Sequence, residues 1–296
     1  VRRGVAVLVH LNGRLIEDTE AAVSVFDRGF LFGDGVFESL RACGGRFFRL
    51  ERHLERLERS CALAGIGGLP GRPVLSAELS QLLAANRLME ARVRLTVTRG
   101  TGRPGDYVTA TGPPTRVATA SPFQGLAPEV RGAGVGVRLL AGRAVPGAAI
   151  DPAIKTTSRL HAVLARREAA QKGAFEALLL DAAGLVTEGT ASNVFLVRGG
   201  RLRTPPAQGG ALPGVTRHAV LEIAAQAGIA ADEAPITADD LRGAEEIFLT
   251  NTSWEVLAVV QVDGEPAGGG RPGPLTSTLA RLYRDRMRRE CGVAEA

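Results

Sequence analysis

Lysine is almost missing from this chain. Of its 36 lysine and arginine residues only two, Lys155 and Lys172, are lysines. Arginine supplies positive charge everywhere else; taken alone, two lysines read as drift in an arginine-rich sequence, and the rival reading is a task that arginine cannot perform. An amine can shed its proton and attack a carbonyl, whereas a guanidinium stays charged. Cysteine is scarce as well. Cys43, Cys61 and Cys291 are odd in number and far apart, forming neither a disulfide framework nor a metal-ligand pattern. The four histidines, His10, His53, His161 and His218, are isolated and no His-Glu-x-x-His occurs, so no metal site is expected. Aromatic residues amount to 4%. With the arginines dispersed among acids, that scarcity argues against a nucleic-acid partner despite a formal net charge of +5, because such partners call for a basic cluster on one element. The nearest candidate, Arg281 to Arg289, reads as a solvated helix face. No apolar run approaches the ~18–20 residues that span a bilayer, so no membrane partner is expected. Val1-Arg2-Arg3-Gly4 leads into a strand-like run rather than a signal-peptide core, and a cytoplasmic location is the expectation.

What is present is ordinary for a globular protein of 296 residues, with 45% hydrophobic and 23% charged side chains. Residues 5–9 read as a strand, Asn12-Gly13 as a hairpin turn and Arg14 to Ile16 as its partner. Asp27 to Gly35 reads as a glycine-punctuated loop. Val36 to Ala42 alternates like a strand, with Phe37, Ser39 and Arg41 on one face. Leu50, Leu54, Leu57 and Cys61 make a helical stripe; Arg52, Arg56 and Arg59 lie off it, where Arg56 taken alone reads as solvated. A second helix is expected over 75–88. In Arg92 to Arg99 strict alternation leaves Arg92, Arg94, Thr96 and Thr98 on a polar face able to line a cavity. Residues 102–114 form a loop and Arg116 to Thr119 a short strand. The segment 121–129 is the expected interdomain linker, dividing a smaller N-terminal α/β domain (1–120) from a larger, β-rich C-terminal domain with helices (130–296). Gly132, Gly134 and Gly136 alternate as in a strand. A helix capped by Thr157 or Ser158 and running to about Lys172 is expected to turn Leu160, Val163 and Leu164 inward. Strands follow at 177–180, 185–189, 194–197, 246–250 and 255–262. Helices are expected from Gly214 through Ala227 and from Thr237.

A lysine that forms a Schiff base with an aldehyde cofactor needs an anion site for the cofactor's phosphate, a carboxylate for its ring nitrogen and donors for the substrate's carboxylate. Gly214-Val215-Thr216 opens a helix, where free N–H groups favour phosphate. Glu188 ends a strand. Thr250-Asn251-Thr252-Ser253 is a hydroxyl-rich strand end. Each alone reads equally well as structure: a Pro-Gly turn, a surface turn acid, a loop.

Their order along the chain resembles the fold-type IV (class IV) pyridoxal-phosphate enzymes: branched-chain aminotransferases, D-amino-acid aminotransferases and 4-amino-4-deoxychorismate lyases. The resemblance runs from Asn12 to Gly264. Its blocks are Asp27-Arg28-Gly29, Phe32 to Glu38, His53-Leu54-Glu55-Arg56-Leu57, Val97-Thr98-Arg99-Gly100, Lys155, Val186 to Phe195, Gly214 to Arg217 and Thr250 to Val256. It implies a two-domain α/β (α+β) enzyme that binds pyridoxal 5'-phosphate and exchanges nitrogen between an amino acid, or an amine, and a 2-oxo acid. Lys155 then looks like the catalytic lysine, Glu188 like the ring-nitrogen carboxylate and Arg56 like the phosphate arginine. Val215, Thr216, Asn251 and Thr252 match the phosphate cup, and Arg159 falls near the cofactor's phenolic oxygen. Phe37, Arg94, Arg103 and Ser253 match substrate-pocket positions. A homodimer or higher homo-oligomer is also implied. Phe37 stands where the D-amino-acid enzymes have Tyr, and Arg103-Pro104-Gly105-Asp106 replaces their Arg-x-His trap. Arg159 stands where the branched-chain enzymes carry Tyr and resembles the lyases, which keeps release of pyruvate and 4-aminobenzoate as the alternative reaction.

Overall fold

Alternation of apolar and polar residues builds the first part of the molecule. The computed structural model describes residues 7–207 and 210–294 and divides into two packing units. The first runs to Gln124 and also takes Ile154–Arg159 and the chain from Met287 onward; the second takes Gly125–Ala153 and Leu160–Arg286. The expected linear division has one crossing at 121–129, whereas the packing crosses there and again at 154, 160 and 287.

In the first unit β1 (Leu8–Leu11), β2 (Arg14–Glu17), β3 (Gly35–Cys43), β4 (Arg46–Phe47), β5 (Ala91–Thr98) and β6 (Thr115–Pro122) form an antiparallel sheet of order β2-β1-β6-β5-β3-β4. Three helices accompany it: α1 (Arg28–Phe32), α2 (Leu50–Leu63) and α3 (Arg72–Ala85). Val93, Leu95 and Val97 of β5 pack with Val36 and Leu40 of β3, Leu54, Leu57 and Cys61 of α2, and Leu75, Leu79 and Leu82 of α3. One sheet face is therefore sealed by helices, and the alternate residues Phe37, Ser39, Arg94 and Thr96 fall on the other. Asn12 and Gly13 both take positive φ, as the tight hairpin requires. Val5 and Ala6 of the expected first strand lie outside the described residues.

The expected loop at 27–35 contains a short helix, Arg28–Phe32. Asp27 is fully buried and caps it, accepting from Gly29 N at 2.8 Å, while Thr98 Oγ1 and Thr115 Oγ1 donate to its other oxygen at 2.8 and 2.6 Å. Gly33, in the left-handed region at φ 67°, closes the helix. Tertiary hydrogen bonds to a buried cap stabilise a turn too short to show in a hydrophobic pattern.

The second unit contains α4 (Pro128–Ala133), β7 (Val135–Leu140), α5 (Leu160–Gln171), β8 (Glu176–Leu180), β9 (Leu185–Gly189), β10 (Asn193–Arg198) and β11 (Arg201–Thr204). It continues with α6 (Val215–Gln226), β12 (Ala231–Glu233), β13 (Ile236–Thr237), α7 (Ala238–Arg242), β14 (Glu246–Asn251), β15 (Glu255–Val262), β16 (Glu265–Pro266) and α8 (Pro274–Glu290). Its sheet has the order β12-β11-β10-β14-β15-β7-β8-β9-β13, with β16 against β15. β7 runs parallel to β8 and β15, and β11 to β12; the other pairs are antiparallel. Buried Leu178, Val194, Leu196, Ile247, Leu249, Leu257 and Val259 form the core.

Two expectations fail here. Gly132 lies in α4 and Gly134 ends it, so the alternating glycines are not one strand. In α5 the inward residues are Ala162, Ala165 and Ala169, which let the helix lie close to Leu140, Ala177 and Leu179. Leu160, Val163 and Leu164 are 70%, 51% and 45% exposed, so the apolar spacing marks the outer face. No described helix is long and apolar enough to cross a membrane.

Candidate functional site

Lys155 is positioned through its main chain. Its N–H donates to Ser60 Oγ at 3.2 Å and its carbonyl accepts from Phe37 N at 2.9 Å. The following residues lie along the start of β3: Thr156 bridges Val36, Thr157 N donates to Gly35 O, and the Thr157 and Ser158 hydroxyls both donate to Gly33 O. The amine is thereby placed 4.8 Å from the centre of the Phe37 ring, and the Arg94 guanidinium lies 3.8 Å from the same centre. Arg94 Nε donates to Thr96 Oγ1 at 3.1 Å. Desolvation, then the nearby charges of Arg159 and Arg92, hold Arg94 below the usual arginine range. A patch where Lys155, Arg94 and Arg159 gather is suited to an anionic ligand. Arg103 does not join them; it stands exposed on its loop, its carbonyl accepting from Asp106 N.

Alternation along β3 turns Glu38 away from Phe37, onto the face sealed by α2. There it is fully buried. Arg56 clamps it with both edges of one fork, Nε to Oε1 at 2.8 Å and Nη2 to Oε2 at 2.7 Å, and His53 Nδ1 lies 2.8 Å from Oε2. Arg56, read from the sequence as solvated, is 8% exposed. A carboxylate without water requires a paired cation. Burial pushes the Glu38 carboxyl up, but Arg56 and His53 outweigh it and hold the group well below the usual carboxylate range. Burial holds His53 below its ordinary 6.5 against the pull of Glu38, with Arg56 and Lys155 adding to the shift. The trio is a carboxylate, a guanidinium and a neutral imidazole whose Nδ1–H, inferred from its acceptor, donates to Glu38. Sequence reading includes Glu38 in a matching block but gives it no role; the available signal is a carboxylate falling in phase with Val36 and Leu40.

The second unit assembles the remaining candidates. Glu188 of β9 lies opposite Leu179 of β8, and its Oε2 accepts from Leu212 N at 2.9 Å. Asn193 Nδ2 donates to Leu212 O at 2.9 Å, so residue 212 is pinned from both sides. Two residues on, Gly214 begins α6 with no side-chain cap. A Cβ at Gly214 would fall 2.0 Å from Asn193 Oδ1; only glycine fits. Val215 and Thr216 are buried in the first turn, at a helix start whose N–H groups and dipole favour an anion. Thr252 and Ser253 lie half-buried in the turn between β14 and β15. Asn251 organises that turn: Oδ1 accepts from Ser253 N at 2.9 Å and Trp254 N at 2.7 Å, while Nδ2 donates to Ala191 O at 2.9 Å. Its side chain is thus engaged in structure, and its main chain is paired with Glu255 in the ladder. Glu255 closes the turn at φ 62°, a costly conformation for a non-glycine residue, held by Arg131 at 3.0 Å. No group of three His, Cys, Asp or Glu able to hold a metal occurs among the described residues.

Within the first unit an amine held in place lies among arginines, and within the second a carboxylate is fixed by a backbone N–H and a helix start has no side-chain cap; each set is chemically suited to part of a phosphorylated aldehyde with a basic ring nitrogen. Comparison with known proteins agrees. Residues 35–262 match the family model described as amino-transferase class IV. A Methanocaldococcus jannaschii protein provisionally named a branched-chain-amino-acid aminotransferase is 37% identical over 96% of this chain and 98% of its own. The D-alanine aminotransferase of Bacillus licheniformis is 36% identical over 92% and 94%. The crystal structure of the T.th. branched-chain amino acid aminotransferase with pyridoxamine 5'-phosphate superposes with a TM-score of 0.91 at 28% identity, covering 96% of this chain and 94% of that one.

The buried trio sets a pH dependence. Both folded-state shifts are downward, so both contributions are present at high pH and are lost as the pH falls: His53's below about 6.5, Glu38's through the carboxylate range. Thermal unfolding across pH 2–8 is expected to show stability declining from neutral toward acid. Glu38→Gln is expected to remove the part of that decline below about pH 4.5 and to cost about 3–5 kcal/mol at neutral pH, the usual penalty for breaking a buried pair.

Proposed function

The chain belongs to the class IV aminotransferase family, and on that premise we propose how its residues divide the work of pyridoxal-phosphate-dependent transamination in a fold-type IV enzyme. When bound, pyridoxal phosphate supplies an aldehyde carbon and a ring that draws electrons from the donor's Cα. Lys155 is the amine that would hold the cofactor at its aldehyde carbon and that would carry the proton leaving the donor's Cα. Glu188 holds the proton on the ring nitrogen. Arg56, the Val215 and Thr216 backbone, the Asn251 backbone and the Thr252 hydroxyl hold the phosphate, and Arg159 meets the phenolic oxygen. Phe37, Arg94 and Ser253 meet the substrate, while Arg103, exposed on its own loop, is given no contact. The observation that carries this reading is the placement of Lys155, its main chain clamped to Ser60 and Phe37 and its amine over the Phe37 ring.

The reaction is tested with an amino-donor panel, following the visible absorbance of the bound cofactor. Donor-dependent loss of the aldehyde form, reversed by a 2-oxo acid, is expected. Pyruvate released from 4-amino-4-deoxychorismate with no oxo-acid acceptor would favour the lyase reaction instead. We place the enzyme in the cytoplasm, in keeping with three buried cysteines outside any disulfide.

A homodimer is proposed from the surface of the first unit. Val25, Phe26 and Phe30 are 64%, 50% and 74% exposed, and Leu31 and Phe32 beside them are exposed too. Tyr107, also exposed, packs its ring against Phe32 at 4.7 Å between centres. So much apolar area within so few residues supports reading this as a self-association face. Sedimentation is expected to give a dimer at micromolar concentration, and Phe30→Glu to shift it toward monomer.

A further inference from the structure

We propose that Arg166 and Glu176 are positioning residues that hold the turn following Glu188 and the turn bearing Thr252 in one fixed relation. The proposal rests on the functional reading above and concerns the second unit alone. Glu176 is fully buried at the start of β8. The Thr190 hydroxyl donates to its Oε1, the Ser192 hydroxyl donates to Oε2 at 3.3 Å, and Arg166 of α5 lies 2.9 Å from Oε1. These hydroxyls belong to the turn that follows Glu188. That turn is pressed onto the carboxylate: a Cβ at Gly189 would fall 2.2 Å from Ser192 Oγ and 3.3 Å from Glu176 Oε2.

The cation on Glu176 reaches the second turn by stacking. The Arg166 guanidinium lies 4.8 Å from the ring centre of Phe175 and 5.2 Å from that of Trp254, and the two rings meet edge-on at 5.0 Å. Trp254 is the last residue of the turn that carries Thr252 and Ser253, and its N–H is bonded to Asn251 Oδ1. Asn251 Nδ2 donates to Ala191 O, closing the loop back onto the first turn. One carboxylate, one planar cation and one aromatic pair thereby join three elements that share no continuous backbone. Arginine suits this place because its flat fork pairs with a carboxylate while its face stacks on rings. Loosening the pair leaves Glu188 present but less well aimed, which penalises the chemical step rather than donor binding.

The test uses the holoprotein and the variants Glu176→Gln, Arg166→Met and Arg166→Lys. Three quantities are measured: the Kd for pyridoxal phosphate, the pH dependence of the bound cofactor's absorbance, and kcat against KM for a donor that turns over on the unaltered protein. E176Q and R166M are expected to lower kcat roughly 10- to 100-fold with donor KM changed less than about threefold. The absorbance pH profile should shift, cofactor Kd should rise, and R166K should recover part of each effect. Should E176Q fail to fold, R166M, altering a side chain 32% exposed, carries the test. A lowered Tm with kcat and pH profile as in the unaltered protein would leave the pair as core support and overturn the proposal. If the unaltered protein itself shows no donor-dependent absorbance change, the functional reading fails and takes this proposal with it; if it does and the variants match it, only this proposal fails.

Discussion

A carboxylate sealed from water must be matched by charge and hydrogen bonds, and in the first unit Glu38 imposes that condition on its surroundings. Leaving it unmatched would cost several kcal/mol. The match is a bidentate arginine and a neutral histidine on one helix, which ties α2 to β3 at one register. Because side chains alternate along a strand, fixing Glu38 inward fixes Phe37 outward, and the Phe37 ring is where the Lys155 amine and Arg94 converge. Arg56 consequently faces two demands: it balances Glu38, and it is the proposed phosphate cation. Arginine can meet both because its donors form a fork with more than one edge.

The second unit repeats the device. Glu176 is as fully buried as Glu38, it too takes an arginine, and it holds the turn that directly follows Glu188. In both places a charged group that contributes little net stability gives a neighbouring side chain one position. Such use of buried ionic groups for positional specificity matches their best-supported role.

Much of the fold was legible because it rests on local pattern. The alternation in β3 and β5, the leucine stripe of α2, the Asn12-Gly13 turn and the start of α6 follow from side-chain period and turn chemistry. The failures come from long-range forces. The helix at 28–32 depends on a buried aspartate receiving hydroxyls 71 and 88 residues away. The α5 stripe reads as core because Leu160, Val163 and Leu164 are larger than Ala162, Ala165 and Ala169; close packing on the sheet selects the smaller set. Arg56 reads as solvated because nothing near it in sequence announces Glu38. The candidate site was legible as motifs, not as periodicity, so of the residues that support it Glu38 and Glu176 stood inside matching blocks with no role assigned, and Arg166 was not singled out at all.

The chain's near-exclusion of lysine makes its central claim unusually direct to examine. Only Lys155 and Lys172 carry side-chain amines, and they lie on different segments, one clamped to β3 and the other just past the end of α5. Reducing the pyridoxal-phosphate-loaded protein with borohydride and mapping its peptides by mass locates the amine that holds the cofactor. The account predicts one phosphopyridoxyl group per chain, on Lys155. A label on Lys172, or no stable label on either lysine, would contradict it.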